Sequence, residues 1–149
     1  MSEKTVATNR KASFEYFILE RYEAGIALQG SEIKAARAGQ MSLSEAFVRV
    51  EPDGAWLIDA YIAPYDPASR FNHDPRRPRR LLLHKKEILE LWGKVRQKGM
   101  TVIPTRAYLK NGRLKVEIAL ARGKRAHDKR QAIAERDRQR EEEREFRIR

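Results

Sequence analysis

Arg76-Arg77-Pro78-Arg79-Arg80, followed closely by Lys85 and Lys86, places six cationic side chains within eleven residues and no acid among them. Guanidinium forks match phosphate oxygens, and proline keeps such a segment extended so that several can engage one polyanion. A solvated charge run is the plainer alternative. Just upstream, Asn72-His73-Asp74-Pro75 sets an imidazole beside a carboxylate, a pairing used in acid–base chemistry. Adjacent side chains rarely face each other, however, and His84 and His127 are distant in sequence. No Gly-x-Ser-x-Gly, His-Glu-x-x-His or phosphate-cradling glycine loop occurs. A turn held by the Asn72 and Asp74 side chains is the favoured role. Three histidines without a cysteine do not suggest a zinc site. No catalytic centre, metal or cofactor is therefore expected.

Glu23-Ala24-Gly25 puts a carboxylate next to a glycine in a strand-like run. On an RNA-facing surface a carboxylate can accept from a base amino group or hold a basic side chain in place. From the residues alone, a solvated strand position is the simpler account. Tyr16, Tyr22, Tyr61, Tyr65, Phe71 and Tyr108 offer faces on which bases could stack, although most are expected in the core.

The stretch from Arg122 to Arg149 is nearly all charge, 11 Lys/Arg against 7 Asp/Glu, with only Ile133, Phe146 and Ile148 as sizeable apolar residues. It cannot bury enough apolar surface to offset the entropy of ordering it. Glu143 with Arg147 and Glu145 with Arg149 are i,i+4 pairs in the favourable order, each worth only about 0.3 kcal/mol. The expectation is a basic tail, disordered when free and helical when bound, that reaches something large and anionic. The tail accounts for +4 of the chain's net +11, leaving +7 on the residues before it. Charge of that size points to nucleic acid ahead of acidic membrane. Zero cysteines exclude disulfides and a thiol nucleophile and are compatible with a cytoplasmic protein. No apolar run of about 18 residues is present to span a bilayer. Met1 to Arg10 lacks a signal-peptide core and reads as a short polar arm.

Residues 1–121 are enough for one ordinary domain. Phe14 to Leu28 reads as one long strand or two joined strands, with Gly25 as a bulge or bend. Ser31 is placed to cap a short helix from Glu32 to Ala38 that Gly39 ends. Ala46–Val50 and Ala55–Ile62 are strand-like runs around the turn Glu51-Pro52-Asp53-Gly54. Pro64 to Arg80 holds four of the six prolines and reads as a loop. Lys85 to Lys98 has Ile88, Leu89, Leu91, Trp92 and Val95 on one helical face, with Gly99 as the stop. Thr101–Leu109 and Leu114–Leu120 are strands joined through Asn111-Gly112, a strong hairpin signal. In the second of these, Leu114, Val116, Ile118 and Leu120 alternate with Lys115, Glu117 and Ala119, giving a core face and a wet face. The sum is a mainly β chain, a small antiparallel barrel of the OB type with accessory helices and a tail over 122–149.

Several ordered segments carry a likeness to a known family. They are Val6-Ala7-Thr8-Asn9-Arg10-Lys11-Ala12, the run from Tyr22 to Lys34, Asn72-His73-Asp74-Pro75, and Arg80-Leu81-Leu82-Leu83-His84-Lys85. Lys115-Val116-Glu117, Ala121-Arg122-Gly123-Lys124-Arg125 and Asp128-Lys129-Arg130 complete the set. Together they resemble the SsrA-binding protein (SmpB) family, partners of transfer-messenger RNA in bacterial ribosome rescue. The resemblance implies an OB-like barrel, monomeric on its RNA, docked on the tRNA-like domain where an anticodon arm would otherwise sit. It implies that Glu23, Leu82 and Lys115 meet the RNA, with Asn9, Arg10, Lys11 and Lys124 as phosphate contacts. Arg80 and Lys85 from the basic run join them. The tail would enter the empty messenger channel of the small subunit, with His127, Asp128, Lys129, Arg130 and Ile133 near the decoding centre. Elongation factor Tu would share the delivery complex. Two departures stand out: Lys34-Ala35-Ala36-Arg37 replaces the more usual serine-leucine pair between the basic residues, and the tail beyond Ile133 is rich in glutamate. A structural ribosomal protein or generic RNA-binding barrel is the competing reading, and an RNA-cleaving enzyme using His73 and Asp74 is a third.

Overall fold

The computed structural model describes residues 3–65, 72–124, 136 and 140. Among them are nine strands and three helices. Strands β4 (Phe47–Glu51), β5 (Gly54–Ile58), β7 (Arg79–Leu82), β2 (Tyr16–Ile26), β9 (Arg113–Gly123) and β8 (Met100–Lys110) pair in that order. Because β8 also pairs with β4, the sheet closes into an antiparallel barrel. This is the small barrel expected from the strand pattern. Strand β1 (Glu3–Thr8) adds to the free half of β8, so most of the supposed N-terminal arm belongs to the sheet. The strands β3 (Met41–Ser42) and β6 (Tyr61–Ile62) form a separate short pair.

The Asn111-Gly112 turn has both residues at positive φ, 53° and 77°, as a tight two-residue hairpin requires. It fixes the β8–β9 register from Lys110↔Arg113 onward. Inward Leu114, Val116, Ile118 and Leu120 are buried together with Ala24, Val48, Leu57, Leu81 and Val102. Ala119, expected on the wet face, is fully buried; a register shift between Pro104 and Arg106 lies beside it. Helix α3 (Lys85–Val95) packs against β4 and β8 through Ile88 and Leu91, with Trp92 and Val95 half-buried. Leu89, assigned to that face by spacing, is exposed instead. Gly99 ends the segment at φ 79°. None of the described helices is long and apolar enough to cross a membrane.

Four other expectations are corrected. Phe14 and Glu15 belong to a helical turn, α1 (Ala12–Glu15), and β2 starts only at Tyr16. The bulge in β2 falls between Ile18 and Glu20, whereas Gly25 is regularly paired on both sides. Gln29, not Ser31, caps helix α2 (Gly30–Arg37), in a reciprocal capping box with Glu32. The Ser31 hydroxyl faces His73 Nδ1 at 2.9 Å instead. The strand-like run over 55–62 breaks at Asp59, at φ 60°, into β5 and β6.

The largest correction concerns the arginine run. Arg79 and Arg80 are not loop but the start of β7, and Arg79 is fully buried. Its Nε donates to Glu32 Oε2 at 2.5 Å, Nη1 to Ala60 O at 2.8 Å, and Nη2 to Pro75 O at 3.1 Å. Arg77 forks onto the same carboxylate, with Nη2 on Oε1 at 2.5 Å and Nε on Oε2 at 3.1 Å. Arg76 reaches Asp59 O and lies over the Tyr61 ring. Arg77 and Arg79 are therefore committed to Glu32 inside the fold, whereas Arg76 and Arg80 stay exposed. Burial alone would raise the Glu32 carboxyl above its ordinary value of 4.5. Hydrogen bonds from Arg77, the Gln29 N–H and Arg79 outweigh that and hold it below. Burial pushes the Arg79 guanidinium down and Glu32 opposes it; an arginine remains charged.

Glu32→Gln should therefore lower folding stability by about 3–5 kcal/mol, because a buried guanidinium loses its counter-charge. With the folded value depressed, this contribution is complete above pH 4.5 and is lost as pH falls through the folded value. Denaturant melts of both proteins across the acid range check this. Equal stability at pH 7 would contradict it.

Candidate nucleic-acid interface

β2, β9 and β8 present one outer face. Cross-strand pairs place Glu23 opposite Glu117, Gly25 opposite Lys115, Lys115 opposite Tyr108 and Glu117 opposite Arg106. Two carboxylates directly opposite would repel, and each is separately neutralised. Glu117 accepts from Thr105 Oγ1 at 2.5 Å and pairs with Arg21 at 3.5 Å and Arg106 at 3.7 Å. Glu23 accepts from the Tyr108 hydroxyl and from Lys110 Nζ at 3.3 Å. The Tyr108 bond, aided by Lys110 and the charge of Lys115, holds the Glu23 carboxyl below its ordinary range. Tyr108 is almost wholly buried, its ring under the Arg106 guanidinium at 4.1 Å. Glu23 is thus an aimed acceptor on a basic face, with a side chain still 40% exposed. A merely solvated residue would lack these partners.

Beside it, Gly25 pairs with Leu82 on one side and Lys115 on the other. A Cβ at Gly25 would stand 3.2 Å from Leu82 Cβ, so the glycine lets the β7 side chain lie across β2. Leu82 is 55% exposed, a large apolar group left in water. A cleft of ≈ 240 Å³ opens here, lined by Gly25, Leu28, Ile33, Arg37, Leu82 and Lys115 among others. Arg37 Nη2 donates to Gly112 O at 2.8 Å and ties α2 to the hairpin turn across it. An apolar contact, a lysine and a fixed carboxylate acceptor around one cleft can hold a base or ribose edge and its phosphate.

Glu23, Leu82 and Lys115 are brought together, and Arg80 lies two residues before Leu82 on the outward phase of β7. Lys85 is exposed in the first turn of α3. The remaining residues lie at the other end of β2, where Tyr16 pairs with Gly123, roughly 30 Å of strand from Gly25. Asn9 is not a free phosphate ligand: it is 8% exposed and its Nδ2 donates to Pro104 O at 2.9 Å. Arg10 is exposed, and Lys11 pairs with Glu45 at 3.3 Å. Lys124 donates to Ser13 O at 2.9 Å and, with Arg122, stands over the Phe17 ring. His127, Asp128, Lys129, Arg130, Ile133 and Phe71 lie outside the described residues.

His73 has both ring nitrogens engaged, Nδ1 with Ser31 and Nε2 donating to Ile62 O at 2.8 Å. Asp74 Oδ1 accepts from the Arg76 N–H at 3.0 Å, which closes the expected turn. The two side chains serve the loop and are not arranged as an acid–base pair. Among the described residues no three acidic or histidine side chains converge to hold a metal. Tyr108, expected only as a stacking face or core residue, instead donates to Glu23, and Lys110 beside it was not singled out by sequence reasoning.

The family model for "SmpB protein" matches residues 6–148. The SsrA-binding protein of Sulfurihydrogenibium sp. is 59% identical over 146 residues, 98% of this chain and 96% of that protein. That of Desulforudis audaxviator is 55% identical over 139 residues, covering 93% and 91%. That of Persephonella marina is 57% identical over 141 residues, covering 95% and 93%. A solved chain described under "tmRNA-SmpB: a journey to the center of the bacterial ribosome" superposes with a TM-score of 0.69 at 48% identity. The match covers 85% of this chain and 92% of that one.

If the Tyr108 hydroxyl holds Glu23, Tyr108→Phe should move the Glu23 carboxyl midpoint upward, toward 4.5. Carbon-detected NMR titration reads this directly. An unmoved midpoint would show that the hydrogen bond does not set the carboxylate.

Proposed function

The chain belongs to the SmpB protein family, and from that membership we propose that it binds the tRNA-like domain of transfer-messenger RNA and promotes its delivery to stalled ribosomes. The observation that carries this reading is the Glu23–Tyr108–Lys110 contact beside Lys115 and exposed Leu82. A carboxylate held in one orientation on a cationic surface reads a base amino group, which a purely phosphate-binding patch has no use for. Lys115 supplies the phosphate contact and Leu82 the apolar one. Arg80, Arg10, Lys11, Lys124 and Lys85 extend the cationic surface around the barrel.

In this reading the chain acts by binding, and the engagement of His73 and Asp74 in the loop speaks against the RNA-cleaving alternative. Residues 1–121 are the RNA-binding unit and 122–149 the tail, with β9 carrying the barrel two residues past that boundary, to Gly123. With the barrel standing where an anticodon arm would otherwise sit, the tail enters the vacant messenger channel. There His127, Asp128, Lys129, Arg130 and Ile133 meet the decoding centre, within a complex that includes elongation factor Tu. This action places the chain in the cytoplasm.

Two outcomes test this division. Glu23→Ala should weaken binding of the tRNA-like fragment by on the order of tenfold although it adds net positive charge. Tighter binding would mean that the carboxylate only repels RNA. Deleting Lys129 to Arg149 should leave fragment affinity nearly unchanged and abolish nascent-chain tagging on stalled ribosomes. A large affinity loss on truncation would contradict the separation of body and tail.

A further inference from the structure

The outer face of β4, β5 and β7 carries a second cationic group. Cross-strand register sets Arg49 opposite Trp56 and Trp56 opposite Arg80. The Arg49 guanidinium carbon stands 5.4 Å from the indole centroid and that of Arg80 5.8 Å. One indole on the middle strand therefore steadies two guanidinium groups whose backbones are about 9.6 Å apart. A Cβ at Gly54 would lie 3.2 Å from Trp56 Cη2 and 3.3 Å from Arg80 Nη2, so the turn glycine leaves room for the group.

A guanidinium resting on a ring keeps the N–H donors in its own plane free. Arg80 gives one of its Nη2 donors to Asp53 O at 3.2 Å, and Arg49 has no hydrogen bond or ion pair among the described residues. Both arginines are exposed. On β7 the outward residues are Arg80 and Leu82, so this face runs without interruption into the cleft at Gly25 and Lys115.

We propose that Arg49, Trp56 and Arg80 form a second RNA-backbone contact, continuous with the Glu23–Leu82–Lys115 face, in which the indole orders two guanidinium forks for phosphate. The proposal rests on the RNA-binding function argued above. It extends the footprint from β2 and β9 across β7 to β4. Phosphate is the occupant because the donors are forked and cationic, and because the adjoining face is the one assigned to RNA.

The test uses the full chain, wild type and Arg49→Gln/Arg80→Gln, with the tRNA-like fragment over a series of salt concentrations. Each lost phosphate contact removes about 0.7–0.9 from the slope of log affinity against log salt, so the double variant should be shallower by roughly 1.4–1.8. Arg49→Gln alone should remove about half of that. The chain has two tryptophans, so in a Trp92→Phe background the remaining emission reports Trp56 and should change when the fragment binds. A tightly binding wild type with unchanged slopes and silent Trp56 emission would overturn the proposal and leave the Glu23 interface intact. A wild type that does not bind the fragment would overturn both.

Discussion

The Glu32 carboxylate is the constraint on which the arrangement depends. It sits fully buried with both oxygens forked by Arg77 and Oε2 also taken by Arg79, while Oε1 accepts the Gln29 N–H that starts α2. One acidic side chain thus joins a helix start, the 72–78 loop and the first residue of β7. Strand β7 is short, held by two register pairs to β2 and three to β5. Such a strand could slip, and a slip of one residue would exchange its inward and outward faces. Arg79 sets the phase: only inward can its guanidinium reach Glu32, Ala60 O and Pro75 O. With Arg79 inward, Leu81 follows it into the core, and Arg80 and Leu82 must point out. A buried charge network is a poor source of net stability but is well suited to fixing register. Here it determines which side chains the surface offers.

That surface is not a uniform basic coat. Opposite charges are interleaved over β1, β8, β9 and β2, with Glu3, Glu117 and Glu23 each matched to a cation or hydroxyl. The consequence is directional. A surface of unpaired lysines attracts any phosphate backbone, whereas a fixed carboxylate penalises ligands that lack a donor in the right place. The cleft at Gly25 adds an apolar wall through Leu82. Affinity from the overall +11 and selectivity from the Glu23 corner are physically distinct contributions.

Local signals carried the barrel far. The Asn111-Gly112 turn alone implies the pairing of Tyr108 with Lys115, and alternation along β9 implies its buried face. Since Glu23 lies on the neighbouring strand, its link to Tyr108 required the β2–β9 register, which no local motif announces. The arginine run failed for the same reason. Its partner lies more than forty residues earlier, so a charge cluster and a buried ion network look alike in sequence. Proline content made 79–80 look like loop, though Pro78 merely precedes the strand. Asn9 came in as a phosphate contact through the family resemblance, and nothing local says that its donors go to Pro104 O and Thr105 O. Glu23, Leu82 and Lys115 were singled out by family resemblance, and the geometry supplies a physical reason for grouping them.

The most direct test of the central claim is competition binding at near-physiological salt, where purely electrostatic phosphate contacts weaken steeply. The tRNA-like fragment of transfer-messenger RNA would compete with an ordinary tRNA of similar length for the full chain. A selective surface organised around Glu23 predicts strong preference for the fragment, undiminished as salt rises. Equal displacement by both RNAs would contradict it, leaving a generic cationic barrel in its place.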